Sequence, residues 1–188
     1  MVAIVFTPLG DGHLATLAEW LRSPHVSRWW PDPCELPQVT ERYHPIVEGT
    51  DTAHGFVIEL DDIPIGYIQS YRLADEPQWS ATLAVAIELR DAAGIDYLIG
   101  AAEMTGRGYG TRAIREFVAS LWQRYEDVST VVVPVQQANV ASWRALERAG
   151  FRRAWEGLLD TDEPGDQGPA YIYVFERGTP DAPATRGS

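Results

Sequence analysis

Three glycines at alternate positions, Gly106, Gly108 and Gly110, stand directly before a long helical pattern. Apolar residues recur at i, i+3, i+4 and i+7 over residues 113–125, which is the period of a helix with one buried face. A short apolar run, residues 96–101, precedes the glycines. The order strand, glycine loop, helix therefore places a loop of unusual backbone freedom where a helix begins.

Strand and helix patterns alternate over the rest of the chain. Strands are predicted at 3–7, 55–60, 63–73, 96–101, 128–136, 153–159 and 171–177, and helices at 12–22, from Pro37, and at 139–149. The run 128–136 is too apolar for an edge strand, whereas residues 74–95 fit a strand or a helix. We expect a mixed α/β (α+β) fold with a single domain over 1–177 and a disordered tail over 178–188.

The charges of the chain are unevenly distributed. Its 188 residues carry a net charge of −12, and all fifteen basic residues are arginine. Residues 48–103 contain eleven acids and two arginines, whereas residues 107–153 contain eight arginines. This pattern fits a solvated acidic surface, or a middle region for a cationic partner and a later region for an anionic one. The overall acidity argues against nucleic acid as a partner, because phosphate neutralisation supplies most of that affinity.

Several protein classes are disfavoured by what the sequence lacks. It shows no signal peptide and no apolar run of about 18 residues, so we expect no membrane segment. The one cysteine, Cys34, cannot form an internal disulfide, which favours a cytoplasmic setting. The four histidines have no metal-ligand spacing, and no metal is expected. Both a monomer and a homodimer fit the sequence.

The glycine loop has the position of an anion-binding site. Backbone N–H groups at a helix N-terminus have no partner within the helix, and the helix dipole favours negative charge there. Arg107 and Arg112 add positive charge. A lysine-dependent phosphate loop is excluded because the chain has no lysine, and the spacing fits a dinucleotide loop poorly. A tight turn without a ligand remains the alternative.

Two motifs together carry a resemblance to a known family. They are "GRGYGT" (106–111) and "NVASWRALERAGF" (139–151), in this order and about thirty residues apart. The pair resembles the GNAT superfamily of acetyl-CoA-dependent N-acetyltransferases, whose loop follows Gln/Arg-x-x-Gly-x-Gly/Ala. Gly108 and Gly110 match the two small positions, and Thr105 departs at the first. The resemblance implies a mixed central sheet, splayed at the acetyl-CoA site and flanked by helices.

The resemblance also implies acetyl-CoA as co-substrate and a set of residues that bind it. In the family, a backbone N–H freed by the splay serves the reacting oxygen, and the residue matching Asn139 contacts the CoA arm. The cofactor-binding residues implied are Leu98, Ile99, Gly100, Arg107, Gly108, Tyr109, Gly110, Thr111, Asn139 and Arg144. Independently of the family, Asn139 is predicted to cap the helix 139–149, and Gly150 to end it.

Four further stretches resemble one group of enzymes within the GNAT superfamily. "HVSRWW" (25–30), "PIGYIQSY" (64–71), "GIDYLIG" (94–100) and "GPAYIY" (168–173) are similar to aminoglycoside 6'-N-acetyltransferases, over roughly residues 12 to 175. The resemblance implies acetyl transfer to the 6'-amino group of an aminoglycoside, hence antibiotic resistance. The acid-rich middle region suits such a polycation. The implied acceptor-site residues are Trp29, Trp30, Tyr67, Gln69, Tyr71, Asp75, Glu76, Trp79 and Asp96.

The same resemblance assigns catalytic roles. Asp96 would bind the amine or take its proton. The family's helix tyrosine, a general acid, falls at Leu146, and two further family aspartates fall at Pro134 and Gln167. Tyr171 or Tyr173 could replace the missing tyrosine, with Tyr171 the candidate, although alternating aromatics in a strand also fit core or cross-strand packing. A thiolate leaves without full protonation, because its pKa is near 8.5.

Two other functions remain open from the sequence. One is a siderophore-type N-acyltransferase acting on a hydroxylated lysine, whose members share similar motifs. These enzymes usually carry histidine at the position of Asp96, which favours the aminoglycoside hypothesis. The other is a non-catalytic acetyl-CoA sensor, favoured only by Leu146.

Overall fold

The helices and strands alternate along the chain much as the patterns predict. The computed structural model describes residues 3–84, 88–161 and 167–178. Its elements are β1 (Ile4–Pro8), α1 (Leu14–Arg22), α2 (Pro24–Ser27), α3 (Leu36–Glu48), β2 (His54–Leu60), β3 (Ile63–Arg72), α4 (Pro77–Ala84), β4 (Ala92–Ile99), α5 (Tyr109–Arg124), β5 (Thr130–Gln136), α6 (Val140–Ala149), β6 (Arg152–Leu158) and β7 (Pro169–Glu176). Apart from Gly178, the predicted tail lies outside the described residues.

The seven strands form one mixed sheet in the order β1-β2-β3-β4-β5-β7-β6. Among the described residues, β4 and β5 form the one parallel pair, and the other pairs are antiparallel. The apolar strand β5 is internal, as its composition predicts. The prediction for β4 started too late: the strand begins at Ala92, because the small residues before Asp96 are buried within the sheet. Residues 74–95, which from the sequence fit a strand or a helix, contain the helix α4 and then the first residues of β4.

The central strands β4 and β5 diverge after three paired positions. Their pairs are Ala92 with Thr130, Ala93 with Val131 and Gly94 with Val132. On its other edge, β4 stays paired with β3 as far as Ile99, and β5 stays paired with β7 as far as Gln136. The result is a wedge-shaped gap in the middle of the sheet, which confirms the predicted splay.

Helices cover both faces of the sheet, and side chains on β4 alternate between them. Leu17 and Leu21 of α1 and Val39 of α3 belong to one buried cluster, on the face that we call the cavity face. Residues of α5 and α6 form the other cluster, on the helix face. Leu98 belongs to the first cluster and Ile95 to the second. Because successive strand residues point to opposite faces, Asp96 faces the cavity side and Tyr97 faces α5 and α6.

Turn chemistry explains where the elements begin and end. Asp61 and Asp62 have φ values of 48° and 66°, so both central residues of the β2–β3 hairpin adopt the left-handed conformation that such turns require. The Asn139 side chain accepts a hydrogen bond from the Ser142 N–H at 3.2 Å, and Gly150 ends α6 with φ of 102°. The predicted hairpin, helix cap and helix stop are confirmed.

Candidate active site

A cavity of about 1050 Å³ opens on the cavity face of the sheet, above the gap between β4 and β5. Asp96 of β4 and Pro134 of β5 both line it, so its floor includes both diverging strands. Its walls come from the loop after α2, from α3, from the loop before β2, from β3 and from α4. A molecule in the cavity therefore has direct access to a second molecule lying in the gap.

The described lining of this cavity is strongly acidic. It includes one arginine, Arg42. Its five carboxylates are Asp32, Asp51, Glu76, Asp96 and Asp160. Such an excess of one sign in a recess concentrates oppositely charged solutes, because the low-dielectric walls focus the field. The cavity is suited to a molecule with several positive charges.

The carboxylate of Asp96 is half-buried at the base of the cavity. Its Oδ2 accepts a hydrogen bond from Gln69 Nε2 at 2.9 Å. Burial raises the pKa of Asp96 to about 6, and Asp32 contributes in the same direction. The bond from Gln69, the positive Arg42 and a bond from Tyr71 oppose the rise. Asp96 is thus mainly ionised at neutral pH, with the proton affinity suited to a general base.

Neighbouring groups orient the other carboxylates. Asp32 accepts a bond from the Tyr43 hydroxyl at 2.8 Å. Asp51 accepts one from the Ala53 N–H at 2.8 Å, and Glu76 accepts one from the Thr52 hydroxyl. Each of these three acids therefore has a hydrogen-bond donor of its own.

Seven of the nine predicted acceptor-site residues line the cavity: Trp29, Trp30, Gln69, Tyr71, Glu76, Trp79 and Asp96. Tyr67 does not, because it is fully buried beneath Gln69. Asp75 is exposed and lies outside the lining, although the adjacent Glu76 lies within it. The structure therefore separates this predicted pair of acids.

Sequence reasoning missed three of the acids in the lining, Asp32, Asp51 and Asp160. They stand in loops that are distant in sequence, and no periodic pattern marks a loop acid as facing a cavity. Only the packing of those loops around β3 and β4 brings the acids together.

The glycine loop lies at the start of α5, beyond the end of β4. Gly106 and Gly108 have φ values of 70° and 85°, a conformation that disfavours any side chain. Gly108 is the N-cap of α5 and has no side chain to accept the first N–H groups of the helix. Tyr109, Gly110 and Thr111 form the first turn, and Arg107 is exposed beside it. The loop presents backbone donors to an anion.

Of the three residues predicted to supply a free backbone donor, Leu98, Ile99 and Gly100, two are corrected by the end of β4. The Gly100 N–H donates to the Ile65 carbonyl at 2.9 Å, so it is not free for a ligand. Successive N–H groups of a strand point to opposite edges of that strand. The Leu98 N–H, two residues before that of Gly100, therefore also points toward β3. The N–H groups of Tyr97 and Ile99 face the gap. Glycine is required at position 100 because a Cβ there would overlap the Trp20 ring.

Tyr171, the predicted proton donor, is not among the cavity-lining residues. It belongs to the helix-face cluster, packs edge-on to Trp143 at 6.2 Å between ring centroids, and lies under the Arg153 guanidinium at 3.8 Å. Leu146 is fully buried on the same face. Tyr97 is a second phenol there, and its hydroxyl is 2.7 Å from the Ser142 hydroxyl of α6.

The two remaining predicted cofactor residues lie on α6 or at its start. Asn139 uses its side-chain oxygen to cap the helix, and Arg144 is exposed with its guanidinium 5.4 Å from the Trp143 ring centroid. His25 of α2 has its Nε2 at 3.0 Å from the Ile99 carbonyl oxygen, at the end of β4.

Neither a metal centre nor a membrane-spanning helix is present in the described ranges of the chain. No group of three or more His, Cys, Asp or Glu side chains there could hold a metal ion. No helix in the same ranges has the length and apolar character needed to cross a membrane.

Comparison with known proteins identifies the class. The family described as the acetyltransferase (GNAT) domain matches residues 10–158. The chain belongs to the GNAT acetyltransferase family. It is 31% identical over 169 residues to aminoglycoside N(6')-acetyltransferase type 1 of Klebsiella pneumoniae, covering 87% of this chain and 78% of that protein.

Solved structures agree with this assignment. Aminoglycoside acetyltransferase AAC(6')-Ib, in complex with coenzyme A and kanamycin, matches with a TM-score of 0.77 and 29% identity over 93% of this chain and 95% of that one. A chimera of the spermidine N-acetyltransferase SpeG from Vibrio cholerae and hSSAT matches with a TM-score of 0.70 and 14% identity over 92% and 95% of the two chains. The second likeness shows the fold alone.

Proposed function

We propose that this enzyme transfers the acetyl group of acetyl-CoA to the 6'-amino group of an aminoglycoside. The observation that carries the proposal is the position of Asp96, in an acid-lined cavity that opens onto the gap between β4 and β5. The similarity to enzymes named as aminoglycoside acetyltransferases over most of the chain supports the same acceptor.

Acetyl-CoA would bind from the helix face, with its pyrophosphate on residues 106–111 and its thioester in the gap. The first-turn N–H groups of α5 and the exposed Arg107 supply positive potential for the phosphates. The Arg144 side chain, exposed on α6, is placed for the same anionic cofactor. The Asn139 side chain already caps α6, so it would contact the CoA arm through its amide NH₂ group.

The reaction requires one base and one oxyanion donor. The acceptor amine arrives protonated, and Asp96 takes its proton directly or through water. The amine then attacks the thioester carbonyl, and the Ile99 N–H is placed to stabilise the developing oxyanion, a contribution of about 3 kcal/mol for such donors. Collapse breaks the carbon–sulfur bond and releases the thiolate, which takes up the second proton of the amine nitrogen, directly or through another group, to leave the neutral amide and free thiol.

The leaving thiolate needs little help, because its pKa is near 8.5. Tyr171 remains the proton donor proposed from the sequence, and Tyr97 is a second phenol on the same face. Either one would assist the departing sulfur from the side of the sheet opposite to Asp96.

The acceptor would be held by charge and by aromatic surface. Asp32, Asp51 and Glu76 line the cavity, and they would bind ammonium groups other than the reacting one. Trp29 and Trp79 offer faces for sugar rings and for cation–π contact. A compound with several amines would bind more tightly than a monoamine, because it would contact several carboxylates and aromatic rings at once.

The proposed setting is the cytoplasm, where a free thiol such as the half-buried Cys34 stays reduced. Whether the enzyme acts as a monomer or as a homodimer would be measured by light scattering.

Thiol release from acetyl-CoA, measured with a panel of amines, tests the function. We expect rapid release with kanamycin, which has a 6'-amino group, and slow release with a hydroxylysine. A matched aminoglycoside bearing a 6'-hydroxyl should give little release and act as a competitive inhibitor. Preference for the hydroxylysine would establish the siderophore-type alternative, and acetyl-CoA binding without release with any amine would establish the sensor.

A further inference from the structure

Three side chains on the cavity face of β3 and β4 form a continuous chain of hydrogen bonds. The Tyr67 hydroxyl donates to Gln69 Oε1 at 2.8 Å, and Gln69 Nε2 donates to Asp96 Oδ2 at 2.9 Å. Gln69 and Asp96 are directly opposite in the β3–β4 register, and Tyr67 is two residues along β3. The geometry therefore follows from strand pairing and does not depend on a loop.

We propose that Tyr67 and Gln69 act as a positioning relay that fixes the Asp96 carboxylate in its base-competent form and orientation. This inference rests on the proposed function, since it needs Asp96 as the base. It changes the role of Tyr67, which the family resemblance implies to be an acceptor-contacting residue. Tyr67 has no exposed surface, so it cannot contact an acceptor in this structure.

The direction of the relay follows from the chemistry of an amide. A glutamine side chain has one acceptor end and one donor end, and an ionised carboxylate only accepts. Tyr67 occupies the acceptor end of Gln69, which leaves the NH₂ group for Asp96. A reversed amide would set its oxygen against the carboxylate. By donating to Gln69, the Tyr67 hydroxyl favours the amide orientation that stabilises the charged form of Asp96.

The surrounding packing immobilises Tyr67. The rings of Tyr43 and Trp30 contact it edge-on, with centroid distances of 5.7 Å and 6.0 Å. Gly55, which pairs with Gln69 on the other edge of β3, leaves room for the hydroxyl, because a Cβ there would overlap it. Two rings packed against Tyr67 and a glycine opposite its hydroxyl are more than the burial of an apolar side chain requires.

The relay also bears on the protonation of Asp96. Burial and the negative Asp32 raise the pKa of Asp96, whereas the Gln69 bond, Arg42 and Tyr71 lower it. Asp51, Glu76 and Asp160 line the same cavity, and Tyr97 is adjacent on the opposite face. Gln69 and Asp32 each accept a bond from the hydroxyl of a fully buried tyrosine, Tyr67 and Tyr43 respectively, and of the two it is Gln69 that bonds directly to Asp96.

The test compares Tyr67→Phe and Gln69→Leu with wild type by the pH profile of kcat/KM for kanamycin. We expect Gln69→Leu to move the acidic limb upward by about one pH unit, a tenfold change in proton affinity. Tyr67→Phe should move it in the same direction by a smaller amount and lower kcat at pH 6, with the acceptor KM unchanged. Circular dichroism and thermal melting establish that each variant is folded.

Tyr125→Phe is the matched control. It also removes the hydroxyl of a buried tyrosine, at 3.4 Å from Ser70, but on the helix face. We expect it to leave the acidic limb in place. The relay would be overturned if Tyr67→Phe and Gln69→Leu both fold and the acidic limbs of their pH profiles lie at the same pH as that of Tyr125→Phe. If Tyr67→Phe does not fold, the position of the acidic limb in Gln69→Leu decides the outcome alone.

Asp96→Asn, measured in the same assay, separates this proposal from the proposed function. Loss of the acidic limb in Asp96→Asn, with no shift in the two relay variants, would refute the relay and keep Asp96 as the base. An acidic limb that survives in Asp96→Asn would refute the base assignment and the relay with it.

Discussion

The two faces of the sheet differ most where β4 leaves β5. On the cavity face, Asp96 meets a recess lined by carboxylates and indole rings. One residue later, on the helix face, Tyr97 meets α6 through a hydroxyl pair with Ser142. The first surface is polar and open, and the second is covered by helices. In the proposed function, the splayed strand would serve two substrates, with the acceptor on one face and acetyl-CoA reached from the other.

The largest expected effect comes from removing the charge of Asp96. Asp96→Asn keeps the shape of the side chain and removes the base, so kcat should fall by about 10²–10⁴-fold. In wild type, kcat/KM for the acceptor should decline as the pH falls through about 6, where Asp96 gains a proton. Stopped-flow thiol release across pH measures both. Near-normal turnover in the variant would leave Asp96 a structural residue.

A smaller effect is expected at the glycine loop, beyond the gap. Gly108→Val forces a branched side chain into a left-handed backbone, with φ of 85°, at the start of α5. The acetyl-CoA KM should rise at least about tenfold, because the loop would lose its donor geometry. Gly12→Ala is the control, since its Cβ would meet open space. An unchanged affinity for acetyl-CoA in folded Gly108→Val would remove the cofactor site from this loop.

The adjacent acids Asp75 and Glu76 give a finer test of the cavity face. Glu76→Gln should raise the kanamycin KM several-fold at low salt, whereas Asp75→Asn should have little effect, because only Glu76 lines the cavity. Salt should also raise the kanamycin KM in wild type, since exposed attractions are screened beyond about 8 Å. Neither variant should change the acetyl-CoA KM. Equal effects of the two substitutions would show that net charge matters and that placement does not.

The smallest effects are expected from the phenols of the helix face. Tyr171→Phe and Tyr97→Phe should each lower kcat only a few-fold, because a thiolate is a good leaving group. Tyr97→Phe should also lower the free energy of unfolding by about 1 kcal/mol, through loss of its bond to Ser142. If either variant loses nearly as much kcat as Asp96→Asn, the corresponding phenol on the helix face is essential for catalysis. Urea titration and steady-state kinetics measure the two quantities.

Local patterns were sufficient to predict most elements of the fold. The apolar period of α5, the cap at Asn139 and the turn at Asp61-Asp62 each reflect neighbours within a few residues, where local geometry decides the outcome. The start of β4 was missed because its first residues are small and carry no strand-like alternation. Only pairing with β3 and β5 makes them a strand.

For the site, the sequence by itself determined which residue types were available: the glycines at a helix start, an aspartate in β4 and an acidic middle region. The tertiary structure decided which of them meet. It separated Glu76 from Asp75, brought Asp32 and Asp160 to the same cavity, and buried Tyr67 beneath Gln69. Contacts of this kind depend on strand register and on how distant loops pack, and no short stretch of sequence specifies either.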